Sequence, residues 1–184
     1  IERNKSELLQ NLKIAAWAKM LRCVNDVRSI REFGCNIGLN LVALNKLFPK
    51  IALSAYEINK AAVIEAEKLD IAKIYHGSIL DECTHEPADL CFTSLVLIHI
   101  APERLESVYK NLFKCSNRYI LIAEYFNPTP VTVEYRGHQE RLFKRDFAGD
   151  LIENFNLRLV DYGFFYSKDP LASSNDVSWF LLEK

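Results

Sequence analysis

Two stretches of this chain, "LCFTSLVLI" at 90–98 and "YILIAEYF" at 119–126, are apolar at nearly every position. A half-wet strand alternates apolar and polar residues, so a strand apolar on both faces must be covered on both sides. Parallel sheets sandwiched between helices have that requirement, and the class is α/β.

The rest of the sequence alternates accordingly. Leu8, Leu9, Leu12, Ala16 and Met20 recur at helical steps and predict a helix from about Ser6 to Cys23. A strand ending at Ile30 and Phe33 leads through "GCNIG" into a helix over Leu39, Val42, Leu44 and Leu47, which Pro49 stops. Then follow "IALSAYEI" (strand), "NKAAVIEAEKL" (helix), "AKIYHGSI" and "ADLCFTSLVLI" (strands), "PERLESVYKNLF" (helix) and "RYILIAEYF" (strand). Pro102 falls in a first helical turn, where no N–H partner is lost. The segment "NPTPVTVEYRGHQERLFKRD" is polar and proline-punctuated and is expected to be a long, substrate-facing loop. Asp146 caps a short helix carrying Phe147, Leu151, Ile152 and Phe155. "LRLVDYGFFYS" and "DVSWFLLEK" are strands with no helical pattern between them, so the last should run antiparallel to its predecessor.

At 184 residues and 49% hydrophobic, the chain has the size of one domain, residues 1–184. Its 23 basic and 24 acidic residues leave a net charge of −1, which disfavours nucleic acid or an anionic membrane as partner. Cys23, Cys35, Cys83, Cys91 and Cys115 fall at no metal-binding spacing and read as reduced thiols of a cytoplasmic protein. No metal site is expected. No apolar run reaches the roughly 20 residues of a membrane span. The start at Ile1 is read as a trimmed N-terminal segment.

The glycine-containing turn carries the functional argument. Between a strand end and a helix start, glycines let a ligand approach the main chain, where unpaired N–H groups face it. A dinucleotide pyrophosphate asks for G-x-G-x-x-G, but this chain has Gly34-x-Asn36-x-Gly38 with Leu39 following. S-adenosylmethionine has no phosphate and presents an ammonium, a carboxylate and a sulfonium. Glu32, ending the first strand, is placed to attract the ammonium, and Glu57, ending the second, can accept both ribose hydroxyls. A third loop, "HGSILD", reaches the same sheet edge. The expected cofactor-binding residues are Glu32, Gly34, Cys35, Asn36, Gly38, Asn40, Glu57, Ile58, Gly77, Ser78, Ile79, Thr93 and Ser94.

Taken in order, "EFGCNIG", "YEIN" and "GSILD" resemble the class I S-adenosylmethionine-dependent methyltransferases. More narrowly, "IERNKSELL", "NIGLNL", "LIHIAPERL", "NRYILIAEYFNPTPV", "YRGHQERLFKRDFAGD", "LVDYGF" and "WFLLEK" resemble the pseudaminic acid biosynthesis-associated methylases across essentially the whole chain. That resemblance implies a Rossmann-like fold with a seven-stranded, mostly parallel sheet, an antiparallel last strand and helices on both faces. It also implies S-adenosylmethionine as cofactor and a nonulosonic acid, or an intermediate of its pathway, as acceptor.

Methyl transfer is an in-line displacement that needs alignment and desolvation more than catalytic side chains. A sugar hydroxyl would benefit from a base where strands four and five open. His99 is the first candidate, with Glu124 and Tyr125 beside the same opening, although all three also fit structural roles. Tyr135, Arg136, His138 and Arg145, with Lys144 nearby, form a cationic and aromatic group suited to an anionic sugar. "TSLV" after strand four departs from the N/D-P-P-Y/F sequence of nucleic-acid and protein amide methylases. Two alternatives stay open: a nicotinamide-dependent oxidoreductase, and a non-catalytic partner-binding subunit on the same fold.

Overall fold

The computed structural model describes residues 2–135, 138–170 and 175–184, with side chains described for 7–133, 142–170 and 175–184. Helix α1 (Glu2–Met20) precedes β1 (Ser29–Phe33), α2 (Leu39–Leu47), β2 (Ala52–Glu57), α3 (Lys60–Glu67), β3 (Lys73–His76) and β4 (Ala88–Ser94). Two 3₁₀ turns, Leu97–His99 and Pro102–Arg104, lead into α4 (Leu105–Cys115) and β5 (Ser116–Glu124). Then come β6 (Val131–Tyr135), β7 (His138–Lys144), α5 (Phe147–Phe155), β8 (Arg158–Phe165) and β9 (Val177–Glu183).

Seven strands form one sheet in the order β3-β2-β1-β4-β5-β9-β8. The first five pair in parallel, whereas β9 runs antiparallel to both β5 and β8. The doubly apolar runs end up at β4 and β5 in the middle, as their patterning demands. On one face, Ile30, Leu53, Leu90, Phe92, Leu121 and Leu181 pack with Trp17 and Met20 of α1 and Leu41 and Leu44 of α2. On the other, Phe33, Cys91, Ile120, Ile122 and Leu182 pack with Val108 and Leu112 of α4 and Phe147 and Leu151 of α5. Strand order reverses between β1 and its neighbours β2 and β4, and open α/β sheets place ligands in the crevice at such a switch.

The local signals hold where capping chemistry is present. Asn59 accepts the N–H of Ala61 at the start of α3, and Asp146 accepts that of Gly149 at the start of α5. The expected loop over 127–146 is instead mostly a hairpin: β6 and β7 pair antiparallel from Val131↔Lys144 to Tyr135↔His138. Its strands alternate apolar and polar residues over Val131 to Tyr135, a pattern that the flanking prolines conceal. The expectation of separate thiols is also corrected, because Cys83 and Cys115 are paired as a disulfide with Cα atoms 6.1 Å apart. Cys83, after β3, and Cys115, ending α4, are separated by 32 residues but meet across the fold. Among the described residues no helix is long and apolar enough to cross a membrane.

Candidate active site

The turn after β1 is unusually wound. Gly34, Asn36 and Gly38 all have left-handed backbone, with φ of 79°, 50° and 83°. An L side chain pays a steric penalty there, which explains glycine at two of the three positions and the tolerant Asn at the third. Gly34 is also crowded: a Cβ would lie 2.5 Å from Val96 Cγ2. The turn is pinned to the next loop by Gly34 N–H, which donates to the Tyr56 carbonyl at 2.8 Å.

Glu57, 8% exposed, sits at the end of β2 and binds both loops. Its Oε2 accepts the Asn36 N–H at 2.7 Å and its Oε1 the Asn59 N–H at 2.8 Å. A carboxylate has about four lone-pair sites, so each oxygen keeps acceptor capacity for a ligand. Beside it opens a hollow of about 460 Å³, lined by Gly34, Asn36, Glu57, Ile58, Gly77, Ser78, Ile79 and, at the far wall, Val96, His99 and Ile100. The third loop is shaped by its own bonds. Asp81 accepts the Ser78 N–H at 2.8 Å, and the Ser78 hydroxyl accepts that of Leu80 at 3.1 Å. Asn111 of α4 then donates to the carbonyls of Ile79 and Asp81, both at 2.9 Å, fixing the loop from below.

A second cavity of about 300 Å³ lies under α1, with Leu9, Leu12, Ala16, Trp17, Met20, Phe165 and Val177 as walls and Lys13, Asn40, Ser94 and Asn175 as polar points. Leu95, itself at φ 58°, lines both hollows. Asn40 is the hub of the polar corner. Its Nδ2 donates to Glu32 Oε1 at 2.6 Å, while its Oδ1 accepts from Lys13 Nζ at 3.0 Å and Trp17 Nε1 at 3.4 Å. Glu32 is 1% exposed, and its second oxygen, Oε2, is buried without a hydrogen-bond partner. Burial pushes its carboxyl up to about 8; the Asn40 bond and the Lys13 charge oppose the rise, and Glu57 adds to it. Burial lowers Lys13, with Glu32 pulling the other way. A buried carboxyl oxygen left without a donor is costly to the fold.

The structure thus brings Gly34, Asn36, Asn40, Glu57, Ile58, Gly77, Ser78, Ile79 and Ser94 to one sheet edge, divided between two hollows, with Glu32 buried behind Asn40 and lining neither. Others fall elsewhere. Cys35 is buried in the core, where burial pushes its thiol up to about 12, and Gly38 caps α2 facing Leu69. Thr93 is fully buried and lines neither hollow. Glu124 is 2% exposed: its Oε1 accepts the N–H groups of Val96 at 3.0 Å and Leu97 at 3.1 Å, so it shapes the wall of the crevice from behind. Burial pushes it up to about 7 against those bonds. His99 lines the Glu57 hollow. The 3₁₀ turn after Leu95 carries it to the exposed rim of the Glu57 hollow. Tyr125 is half-buried with Lys144 Nζ 5.3 Å from its ring centroid, and Arg145 is ion-paired with Asp150 at 3.2 Å. Arg136 lies outside the described residues, as do the side chains of Tyr135 and His138.

Lys13 and Trp17 are the site residues that sequence reasoning missed. The available signal was a lysine set among Leu9, Leu12 and Ala16 on the otherwise apolar face of the first helix.

No protein-family model and no curated protein matches the chain. Solved structures do match its fold. An O-methyltransferase of a trans-AT polyketide synthase multienzyme from Brevibacillus brevis, in complex with S-adenosyl-L-homocysteine, superposes with a TM-score of 0.72 at 14% identity, covering 91% of this chain and 71% of that one. The magnesium protoporphyrin IX methyltransferase of Synechocystis PCC 6803, with bound S-adenosylmethionine, gives 0.69 at 11% identity over 96% and 79%. Coclaurine N-methyltransferase, bound to N-methylheliamine and S-adenosyl-L-homocysteine, gives 0.76 at 8% identity over 95% and 72%. The chain therefore has the Rossmann-like fold of the class I methyltransferases, with the mostly parallel seven-stranded sheet and reversed last strand.

Proposed function

We propose that this chain is an S-adenosylmethionine-dependent methyltransferase acting on a small molecule, with residues 1–184 forming one catalytic domain. The observation that carries the reading is the placing of two hollows at one sheet edge with Leu95 in the wall of both, one held by Glu57 and the other bordered by Asn40, which in turn holds Glu32. Each chemical part of the cofactor has a matching group. The spare lone pairs on Glu57 suit the ribose hydroxyls, and Ile58, Ser78 and Ile79 offer an apolar and backbone-polar bed for the adenine. The Asn40 corner suits the amino-acid end, with Glu32 for the ammonium and Lys13 for the carboxylate. When bound, S-adenosylmethionine supplies a sulfonium methyl group for in-line attack.

What the chain's own residues contribute is alignment and exclusion of water. Val96 and Leu97, fixed by Glu124, form a stiff wall beside the turn at Gly34, and α1 covers the second hollow. His99 belongs, in this reading, to the rim over the adenosine portion. A nonulosonic acid as acceptor is the refinement carried by the motif resemblance. Its support is the sequence motifs, while Arg145, one of the side chains expected to grip it, is already paired with Asp150.

The test is incubation with methyl-labelled S-adenosylmethionine and a panel of small acceptors, nonulosonic acids included, read by mass spectrometry. Label transferred to a small molecule is expected. Cofactor binding with no transfer to any acceptor, alongside a copurifying enzyme, would favour a non-catalytic partner subunit.

A further inference from the structure

We infer that Cys83 and Cys115 are a redox modification site, closed by exchange with a disulfide oxidant and opened by a dithiol, whose state sets the shape of the loop at 77–83. Three residues of α4, spaced so that they share one helix face, hold that loop. Asn111 donates to the carbonyls of Ile79 and Asp81, both at 2.9 Å, Lys114 pairs with Glu82 at 2.5 Å, and Cys115 is bonded to Cys83. The Lys114–Glu82 pair joins two exposed side chains, so solvent screens it and it holds little by itself. Beyond Asp81 the disulfide is therefore the main tie. Gly77, Ser78, Ile79 and Leu80, earlier in the same loop, line the Glu57 hollow, and Tyr56 in that wall has its hydroxyl 3.7 Å from Cys83 Sγ. Opening the bond loosens this side of the hollow. The consequence for the cofactor rests on the methyltransferase reading; the redox site itself does not.

The surroundings of Cys83 suit a bond that opens. Arg31, 5% exposed, donates from Nη1 to Cys83 Sγ at 3.4 Å and from Nε to the Ser54 hydroxyl at 3.0 Å. Among the described residues no carboxylate pairs with it. A buried guanidinium without an anion beside it stabilises negative charge that develops on this sulfur. Cys83 is half-buried and Cys115 fully buried, so a reductant reaches Cys83 first. One thiolate of the dithiol attacks Cys83 Sγ, and the Cys115 sulfur leaves and takes up a proton. The second thiolate of the reductant then closes the reductant's own disulfide and releases Cys83 as a thiolate beside Arg31. Two electrons pass from the dithiol to the cysteine pair.

The experiment compares protein oxidised with glutathione disulfide and protein reduced with dithiothreitol. Thiol titration in denaturant should count three free cysteines in the first, Cys23, Cys35 and Cys91, and five in the second. Hydrogen exchange should be faster in the reduced protein at the amides of Ser78 and Leu80, which are bonded within the loop. Calorimetric titration with S-adenosyl-L-homocysteine should give an affinity roughly tenfold weaker after reduction. Cys83→Ser and Cys115→Ser should each behave as the reduced parent and ignore dithiothreitol. Arg31→Gln should lower the equilibrium constant for reduction by glutathione roughly tenfold, and Arg31→Lys, which keeps the charge, should restore most of it. Five free thiols in the oxidised protein, or equal loop exchange or equal affinity in the two forms, overturns the inference. If the loop responds and neither form binds S-adenosyl-L-homocysteine, the methyltransferase reading fails and the redox site stands.

Discussion

The Glu57 carboxylate binds the backbone of two different loops at once, taking Asn36 N–H at 2.7 Å and Asn59 N–H at 2.8 Å. The group assigned to the ribose is thus also the clamp that shapes its own hollow. Glu57→Ala should weaken S-adenosylmethionine binding by about 1–3 kcal/mol, the cost of stranding polar groups. Glu57→Gln should fail to restore it, because an amide turns one of the two acceptors into a donor facing an N–H. Calorimetry on both variants checks this, and a fully active Gln variant would remove the clamp.

Glu32 should report the arrival of the ammonium. With its carboxyl pushed up to about 8, it is protonated in the free protein near pH 6.5. A cation at its orphaned oxygen stabilises the carboxylate, so binding should release about one proton at that pH, and affinity should rise as pH increases from 6 to 7.5. Titrations in buffers of different ionisation enthalpy measure the release. Glu32→Gln should abolish it.

A side chain at Gly34 would meet two obstacles, a left-handed backbone and Val96. Gly34→Ala should destabilise the fold by a few kcal/mol, since a left-handed L residue alone costs about 1–2 kcal/mol and the new Cβ would lie 2.5 Å from Val96 Cγ2. Adding Val96→Ala should recover the steric part and leave the backbone part. Denaturant unfolding of the single and double variants separates the two.

Glu124 should set a pH dependence of stability unrelated to catalysis. Its folded-state carboxyl is pushed up to about 7, above the ordinary value of 4.5, so the native state holds the proton more tightly than the unfolded chain. Stability should therefore fall as pH rises from about 4.5 to 7 and level off above that. Glu124→Gln keeps an acceptor for Val96 and Leu97 and carries no charge. Above pH 7 it should melt higher than the parent by roughly 2–4 °C for each kcal/mol regained.

His99, on the rim of the Glu57 hollow, should behave as a cofactor contact. His99→Ala should raise the KM for S-adenosylmethionine with kcat within a few-fold of the parent. A hundredfold loss of kcat at unchanged cofactor affinity would instead make it the general base.

Strand-end carboxylates and the glycine turn were legible in the sequence because their places follow from local pattern: Glu32 and Glu57 close apolar runs, and Gly34 and Gly38 flank the step into α2. Roles that depend on distant partners were not legible. Lys13 meets Asn40 across 27 residues, and Glu124 meets Val96 across 28. Nothing local to Lys13 distinguishes it from a solvated lysine except its apolar neighbours. The β6–β7 hairpin was hidden by composition, since its charged residues and nearby prolines resemble a loop. The end of β4 was not legible because the apolar run through Ile98 reads as one strand, whereas β4 stops at Ser94 and Leu95 turns left-handed.

The central claim is tested most directly by calorimetric titration of the protein with S-adenosylmethionine and, separately, with NAD. One-to-one saturable binding of S-adenosylmethionine, lost or weakened in Glu57→Ala, and no binding of NAD is the predicted result. Binding of NAD without S-adenosylmethionine would contradict it.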